Sequence, residues 1–307
     1  MNYLKNSMTN QNKITKLITH NGSFHADDIF ACAALSLVLE KNKQSFEIIR
    51  IRDKDTIEAG DYVFDVGGIY DEEKNRFDHH QKGGVGSRNG IEYSSFGLVW
   101  KKFGTGLCRP ERVSSIIEKR LVAPIDAFDN GLDLVENKYD ISPYFIDHFF
   151  LSMIPTWRED SLSKDEMFLK SVEIAKEILS REIIQAQDSV LGEEKVISIY
   201  QNTKDKRIII LDKDYSYEYV LNKFLEPLLV VYPRTSDNSW GVKAVREDPK
   251  TFKNRKDFPE NWGGLRDEEL QKITGVADAV FCHRGLFMAV AKTKDGAIKL
   301  AQIAVES

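Results

Sequence analysis

The stretch from Ile14 to Lys41 limits what this chain can fold into more than any other. Ile14–Thr19 is a short β-prone run ending at His20, and Asn21-Gly22 marks a turn. Asp27–Lys41 then carries Ile29, Ala33 and Leu37 at helical spacing. Strand, glycine turn and helix open an α/β unit, and open α/β sheets bind ligands at the carboxyl ends of their strands. His20, His25 and Asp27 all fall in that turn. Asp27 also fits a helix cap and His25 a polar loop, but three potential ligands within eight residues at a strand end favour a site.

The next segments repeat the theme. Phe46–Ile51 reads as a second strand, and Tyr62-Val63-Phe64 as a third that ends at Asp65, before Gly67-Gly68. A small hairpin follows, with arms Gly68-Ile69-Tyr70 and Asn75-Arg76-Phe77. Its second arm delivers Phe77-Asp78-His79-His80-Gln81 back toward Asp65. Gly83–Ser87 is a backbone-exposing loop without the Gly-Lys-Ser/Thr of a phosphate-cradling P-loop. Helices are predicted over Ser95–Phe103 and Pro110–Phe128. The second runs into Asp126 and Asp129, which share a helical face. An acidic pair at a helix carboxyl end opposes the helix dipole, and a bound cation would remove that conflict. His148, among Phe145, Phe149 and Phe150, reads as a packing histidine.

Lys164–Leu191 predicts a long amphipathic connecting helix, its apolar stripe running through Phe168, Val172, Ala175, Ile178, Leu179 and Ile183. Beyond it come short strands at Val196–Tyr200, Arg207–Leu211, Leu228–Tyr232, Trp240–Val245, Ala279–Cys282 and Leu286–Ala291. Helices are predicted around Tyr217–Phe224, near Arg266–Lys272 and over Asp295–Val305. The organisation is therefore α/β: an amino-terminal open, mostly parallel sheet with helices on both faces (residues 14–160), a connecting helix (161–194) and a smaller carboxyl-terminal α/β domain (195–307).

Charge narrows the partners. With 307 residues and a formal net charge of −5, the chain lacks the basic surplus of a duplex-binding protein. Single-stranded or short nucleic acids stay compatible with it. Three scattered cysteines argue against a disulfide scaffold and against a CxxC zinc site. No segment reaches the length of a membrane span. The polar lead-in Met1–Lys13 lacks a signal-peptide core, so a cytoplasmic enzyme is the default expectation, with an organelle or the nucleus left open. The oligomeric state is also open.

Four of the six histidines lie in the two loops already singled out. Pooled with Asp27, Asp65, Asp78 and one of Asp126 or Asp129, they make a ligand set large enough for two divalent cations. Imidazole and carboxylate without thiolate suit Mn²⁺, Mg²⁺, Co²⁺ or Zn²⁺. Two-metal centres stabilise the attacking and leaving oxygens of phosphoryl transfer and activate a water as nucleophile. Asp65, central in the inferred sheet, is the natural bridging carboxylate.

These residues resemble the melanocyte-proliferating-gene family of metal-dependent hydrolases, within the DHH phosphoesterase superfamily. The resemblance rests on Thr19-His20-Asn21-Gly22-Ser23-Phe24-His25-Ala26-Asp27, Phe64-Asp65-Val66-Gly67-Gly68, Phe77-Asp78-His79-His80-Gln81 and Ile125-Asp126-Ala127-Phe128-Asp129-Asn130-Gly131. In the second domain Trp262–Leu270 and Phe281–Gly285 match as well, so the likeness runs from about Lys16 to Ala304. It implies that His20, His25, Asp27, Asp65, His79 and the Asp126/Asp129 region hold two cations, Mn²⁺ foremost. It further implies that His80 faces the scissile phosphate, that Asp78 orients the neighbouring imidazole, and that Arg266, His283 and Gly285 bind substrate phosphate. The activity it implies is 3′–5′ exonucleolytic cleavage of RNA or short oligonucleotides. The superfamily usually has an aspartate where this chain has His25, which bears on metal preference. The competing readings are a phosphatase or phosphodiesterase of a small nucleotide or pyrophosphate, and a non-catalytic metal-binding module.

Overall fold

A computed structural model describes residues 13–307; the polar lead-in otherwise lies outside the described residues. The chain divides into two compact units, through Gln187 and from Asp188 onward.

The first unit begins with β1 (Thr15–Thr19), α1 (Ala26–Lys41), β2 (Phe46–Arg50), α2 (Lys54–Glu58) and β3 (Tyr62–Phe64). A short hairpin follows, β4 (Tyr70–Asp71) and β5 (Arg76–Phe77), then a second one, β6 (Ser87–Arg88) and β7 (Ile91–Glu92). The main sheet has the order β2-β1-β3-β5-β4 and is parallel except at β4. This is the open, mostly parallel sheet expected, with β3 at its centre. Alternation along β1 explains the layering. Ile18 joins Val63, Val66 and Ile57 of α2 on one face, while α1 covers the sheet from the other and packs against α3 (Ser95–Cys108). Helix α1 is buried around nearly its whole circumference, as an apolar sequence without a polar face must be. Phe30 anchors it, stacked on Phe96 at 5.3 Å and edge-on to Phe150 at 5.6 Å.

The helix expected over Pro110–Phe128 is instead three pieces: α4 (Glu111–Ile117), a π-turn (Glu118–Val122) and α5 (Ala123–Asp129). Pro124 supplies the reason, since it lacks an N–H and its ring crowds the preceding turn. A short α6 (Ile146–Leu151) precedes α7 (Lys164–Asn202).

Helix α7 corrects the strand expected at Val196–Tyr200: the helix runs straight through it. The β-branched run there satisfies strand propensity, yet the buried residues are Val196 and Tyr200, four apart on one helical face. The second unit continues with β8 (Ile208–Ile210), α8 (Glu218–Leu221), β9 (Leu229–Pro233) and β10 (Trp240–Ala244). It ends with α9 (Asp267–Thr274), β11 (Ala279–Cys282), β12 (Met288–Ala291) and α10 (Lys294–Glu306). Its sheet, β11-β12-β10-β9-β8, is antiparallel except for β8 with β9. Ile208, Leu229 and Val231 face α10, while Ile209 and Val230 face Val196 and Tyr200, the period-two pattern of a sheet covered on both sides.

Among the described residues, no helix is long and apolar enough to cross a membrane.

Candidate metal centre

The site grows from the strand ends. Because Phe64 pairs with Phe77 in parallel register, Asp65 and Asp78 leave neighbouring strands side by side. Asp65 adopts φ +54°, and the turn after it is completed by Gly67 at +98° and Gly68 at +68°. This left-handed run suits Asp, Asn and Gly and few other residues. It also brings the Gly68 amide to Asp78 Oδ2 at 2.5 Å.

Asp65 is the hub. Its Oδ2 lies 3.0 Å from His20 Nε2, and its Oδ1 lies 3.3 Å from His79 Nε2. His79 Nε2 is also 3.3 Å from Asp129 Oδ2 and 3.9 Å from Asp27 Oδ2. Asp27 is held from behind by the Ser95 hydroxyl at 2.9 Å. Three sets of ligand atoms each fit within 4.8 Å: Asp65 with His79 and His80, His20 with Asp28 and Asp65, and His25 with Asp27 and Asp129. Asp65 belongs to two of them. The sets line a cavity of about 800 Å³ or sit immediately beneath it.

Electrostatics shows what the arrangement lacks. Burial pushes the Asp27 and Asp129 carboxyls upward, and neighbouring carboxylates add to the rise. Asp28, fully buried, rises to about 7 for the same first reason. Burial would also raise Asp65, but the hydrogen bond from His20 and the close charge of the His79 imidazole outweigh it and hold this carboxyl below the usual range. For His20, burial works downward, yet Asp28 and Asp65 overcome it and lift the imidazole to about 10. Asp27 Oδ1, Asp28 Oδ2 and Asp65 Oδ1 are buried without a hydrogen bond. Asp28 Oδ2 does lie 3.3 Å from His20 Nε2, but that nitrogen has one proton and Asp65 is closer. An orphaned buried acceptor costs on the order of 1–3 kcal/mol, more when charged. Divalent cations would satisfy all three, so the donor set fits hard or borderline metal ions.

The structure brings His20, His25, Asp27, Asp65, His79 and Asp129 together. It corrects the inclusion of Asp126, whose carboxylate is fully buried and already engaged. Its Oδ1 accepts from the Ser94 hydroxyl and from the Gly97 amide at 3.1 Å, and Arg88 lies 2.6 Å from Oδ2. The Arg88 contact is an ion pair without an aligned N–H···O bond. Asp126 therefore ties hairpin β6–β7 to α5 and α3. Gly97 is required for it, because a Cβ there would lie 2.1 Å from Asp126 Oδ2. Gly97→Ala is expected to cost roughly 1–3 kcal/mol through overpacking, seen as a melting temperature lower by about 2–4 °C per kcal/mol.

Asp78 and His80 form a subsidiary pair. Asp78 Oδ1 accepts from the His80 amide at 3.1 Å and lies 2.7 Å from His80 Nδ1. His80 is largely exposed and lines the cavity. Asp28 was missed in the sequence because it directly follows Asp27 at a helix start, where acidic residues are routine. Its one sequence signal is its spacing of three from His25, whose amide it accepts at 3.0 Å. Asp147, also missed, is buried beside Asp129 in a smaller cavity with Phe128 and Leu151. His148 packs as expected, against Phe128 and Phe145.

The remaining expected residues lie in the second unit. Arg266 precedes α9, its guanidinium 4.9 Å from the Phe281 ring centroid, and no carboxylate pairs with it among the described residues. The Gly285 amide donates to His283 Nδ1 at 2.9 Å, and that imidazole packs on Phe287.

Comparison with known proteins identifies the group. A family model, MYG1_exonuc, described as uncharacterised protein family UPF0160, matches residues 16–305. The MYG1 protein of Dictyostelium discoideum is 32% identical, covering 93% of this chain and 94% of that one. The MYG1 exonuclease of Bos taurus is 30% identical over 92% of this chain and 83% of its own. Among solved structures, RecJ of Thermus thermophilus in complex with Mn²⁺ aligns at 12% identity and a TM-score of 0.28, over 95% of this chain and 52% of RecJ. On the extent of the family match and the identity to these relatives, the chain belongs to the MYG1 family.

Proposed function

We propose that this chain is a metal-dependent phosphodiesterase that removes nucleotides from the 3′ end of RNA or short oligonucleotides. One observation carries the reading: Asp65 is shared by two ligand sets, amid buried carboxylate oxygens that lack hydrogen bonds. The name MYG1 exonuclease, borne by the Bos taurus relative, supports a nucleic-acid substrate. The net charge of −5 suits a single strand better than a duplex.

His20, His25, Asp27, Asp28, Asp65, His79 and Asp129 would hold two divalent cations, Mn²⁺ foremost. Such cations polarise phosphoryl oxygens and make water a competent nucleophile near neutral pH. The chain's own residues do the rest. Asp78, locked by the Gly68 amide, accepts from His80 Nδ1 and so sets the tautomer and orientation of that ring. On this side chain lining the cavity, Nε2 is then left to accept from a water in the neutral ring, or to donate to a phosphate oxygen when the ring carries both protons. Ser95 keeps Asp27 turned inward.

The test uses RNA oligomers labelled at either end, with Mn²⁺ or Mg²⁺. Stepwise release of mononucleotides from the 3′ end, stopped by EDTA, is expected. If no oligomer is turned over above a His79→Ala control, the reading fails. A clear rate advantage for a small phosphate ester would redirect it.

A further inference from the structure

Two arginines, two residues apart at the end of β2, are used in opposite ways. The Arg50 side chain is buried: it pairs with Asp165 at 2.5 Å, donates to the Gly22 carbonyl at 2.9 Å and lies 4.5 Å from the Phe168 ring centroid. Its task is to pin the start of α7 to the His20–His25 turn. Arg52 lies just past the strand's carboxyl end, is exposed, and lines the same cavity as His20 and His25. No carboxylate pairs with it among the described residues, although four acidic side chains line that cavity: Asp65, Asp78, Asp129 and Glu92. Among the described residues no other arginine or lysine lines it.

An unpaired guanidinium in an acidic cavity is well placed for an anion that the ligand cluster does not itself neutralise. Resting on the phosphodiesterase reading, such an anion exists in an oligonucleotide. The scissile phosphate meets the metal centre, and the adjacent phosphate in the chain still needs a counter-charge. We propose that Arg52 binds this second phosphate, so that the site favours substrates carrying two or more phosphates over a single phosphodiester. A guanidinium suits the task because its planar fork can hold two phosphate oxygens at once, which an ammonium cannot.

Two measurements test this on the full chain, comparing wild type with Arg52→Ala and Arg52→Lys. The first is the kcat/KM ratio for a 5′-phosphorylated dinucleotide over the same dinucleotide without that phosphate. Wild type is expected to favour the former about ten-fold, Arg52→Ala to bring the ratio close to one through KM, and Arg52→Lys to fall between. The second is fluorescence anisotropy of a labelled single-stranded oligomer in Ca²⁺ at several salt concentrations. Arg52→Ala should weaken binding about ten-fold and lower the log–log salt slope by about 0.7. A ratio and an affinity within about two-fold of wild type would overturn the proposal, as would a wild type that binds no oligomer. If wild type binds the oligomer but hydrolyses no phosphodiester with any cation, it is the hydrolase reading that fails, and the anisotropy comparison alone decides Arg52.

Discussion

Asp65→Asn is expected to lower metal-supported phosphodiester hydrolysis by about 10³-fold or more while leaving the fold in place. The substitution separates two roles of one residue. Asp65 occupies a left-handed backbone position at φ +54°, and asparagine tolerates that region nearly as well as aspartate, so the turn into Gly67-Gly68 should survive. The charge does not survive. His20 and His79 both lie against this carboxylate, at 3.0 and 3.3 Å, and two of the three ligand sets include it. An amide offers one weaker acceptor where two ligand sets share a full anion. Loss of several kcal/mol of charge stabilisation corresponds to about one decade in rate per 1.36 kcal/mol. The checks are kcat/KM with Mn²⁺, bound metal per chain after reconstitution, and circular dichroism to confirm folding. An Asp65→Asn protein that retained two cations and its rate would remove Asp65 from the centre of the site.

The legibility of the site followed from where its residues sit. His20, Asp65 and His79 lie at or just beyond strand ends, and strands leave clear marks in sequence as short apolar runs closed by glycine. Once β3 and β5 are recognised, the adjacency of Asp65 and Asp78 is nearly forced, because parallel neighbours end together. Asp126 and Asp129 were not separable in the same way. Three residues apart on a helix, they share a face, and it is Ser94, Gly97 and above all Arg88 on a separate hairpin that draw Asp126 away from the cavity. The Arg88 contact spans 38 positions, and no local pattern encodes it. Asp28 shows the complementary difficulty: beside Asp27 at a helix start it looks like dipole compensation, yet it is fully buried beneath His20. The strand expected at Val196–Tyr200 failed for a third reason. Its β-branched residues suit either element, and the choice was made by the second unit's sheet, which receives Val196 and Tyr200 from one side of α7.

Cation binding is expected to tighten steeply with pH, because the ligand set holds protons that an entering cation must displace. His20 keeps its proton up to about pH 10: burial opposes the charge, but Asp28 and Asp65 outweigh it. His79 is raised in the same manner, chiefly by Asp65 and Asp27 against burial. A ligating imidazole must be neutral, so each displaced proton makes the apparent affinity rise about ten-fold per pH unit below that group's pKa. With both histidines ligating, at least roughly a hundred-fold gain per unit is expected between pH 6.5 and 8.5, and more where Asp129, raised to about 9, gives up its proton as well. Calorimetric titration of Mn²⁺ in buffers of different ionisation enthalpy would count the released protons directly. The stability of the metal-free protein should run the opposite way. A histidine raised from 6.5 to about 10 contributes stability that is fully present below pH 6.5 and lost as pH rises through 10. The raised carboxyls of Asp27 and Asp129 act in the same direction, since folding favours their neutral form and that advantage also fades as pH rises. In EDTA the melting temperature should therefore fall from pH 6.5 to 9.5, whereas with saturating Mn²⁺ the gain in binding should offset that fall. A cation affinity that stayed flat from pH 6.5 to 8.5 would mean that these histidines are not ligands.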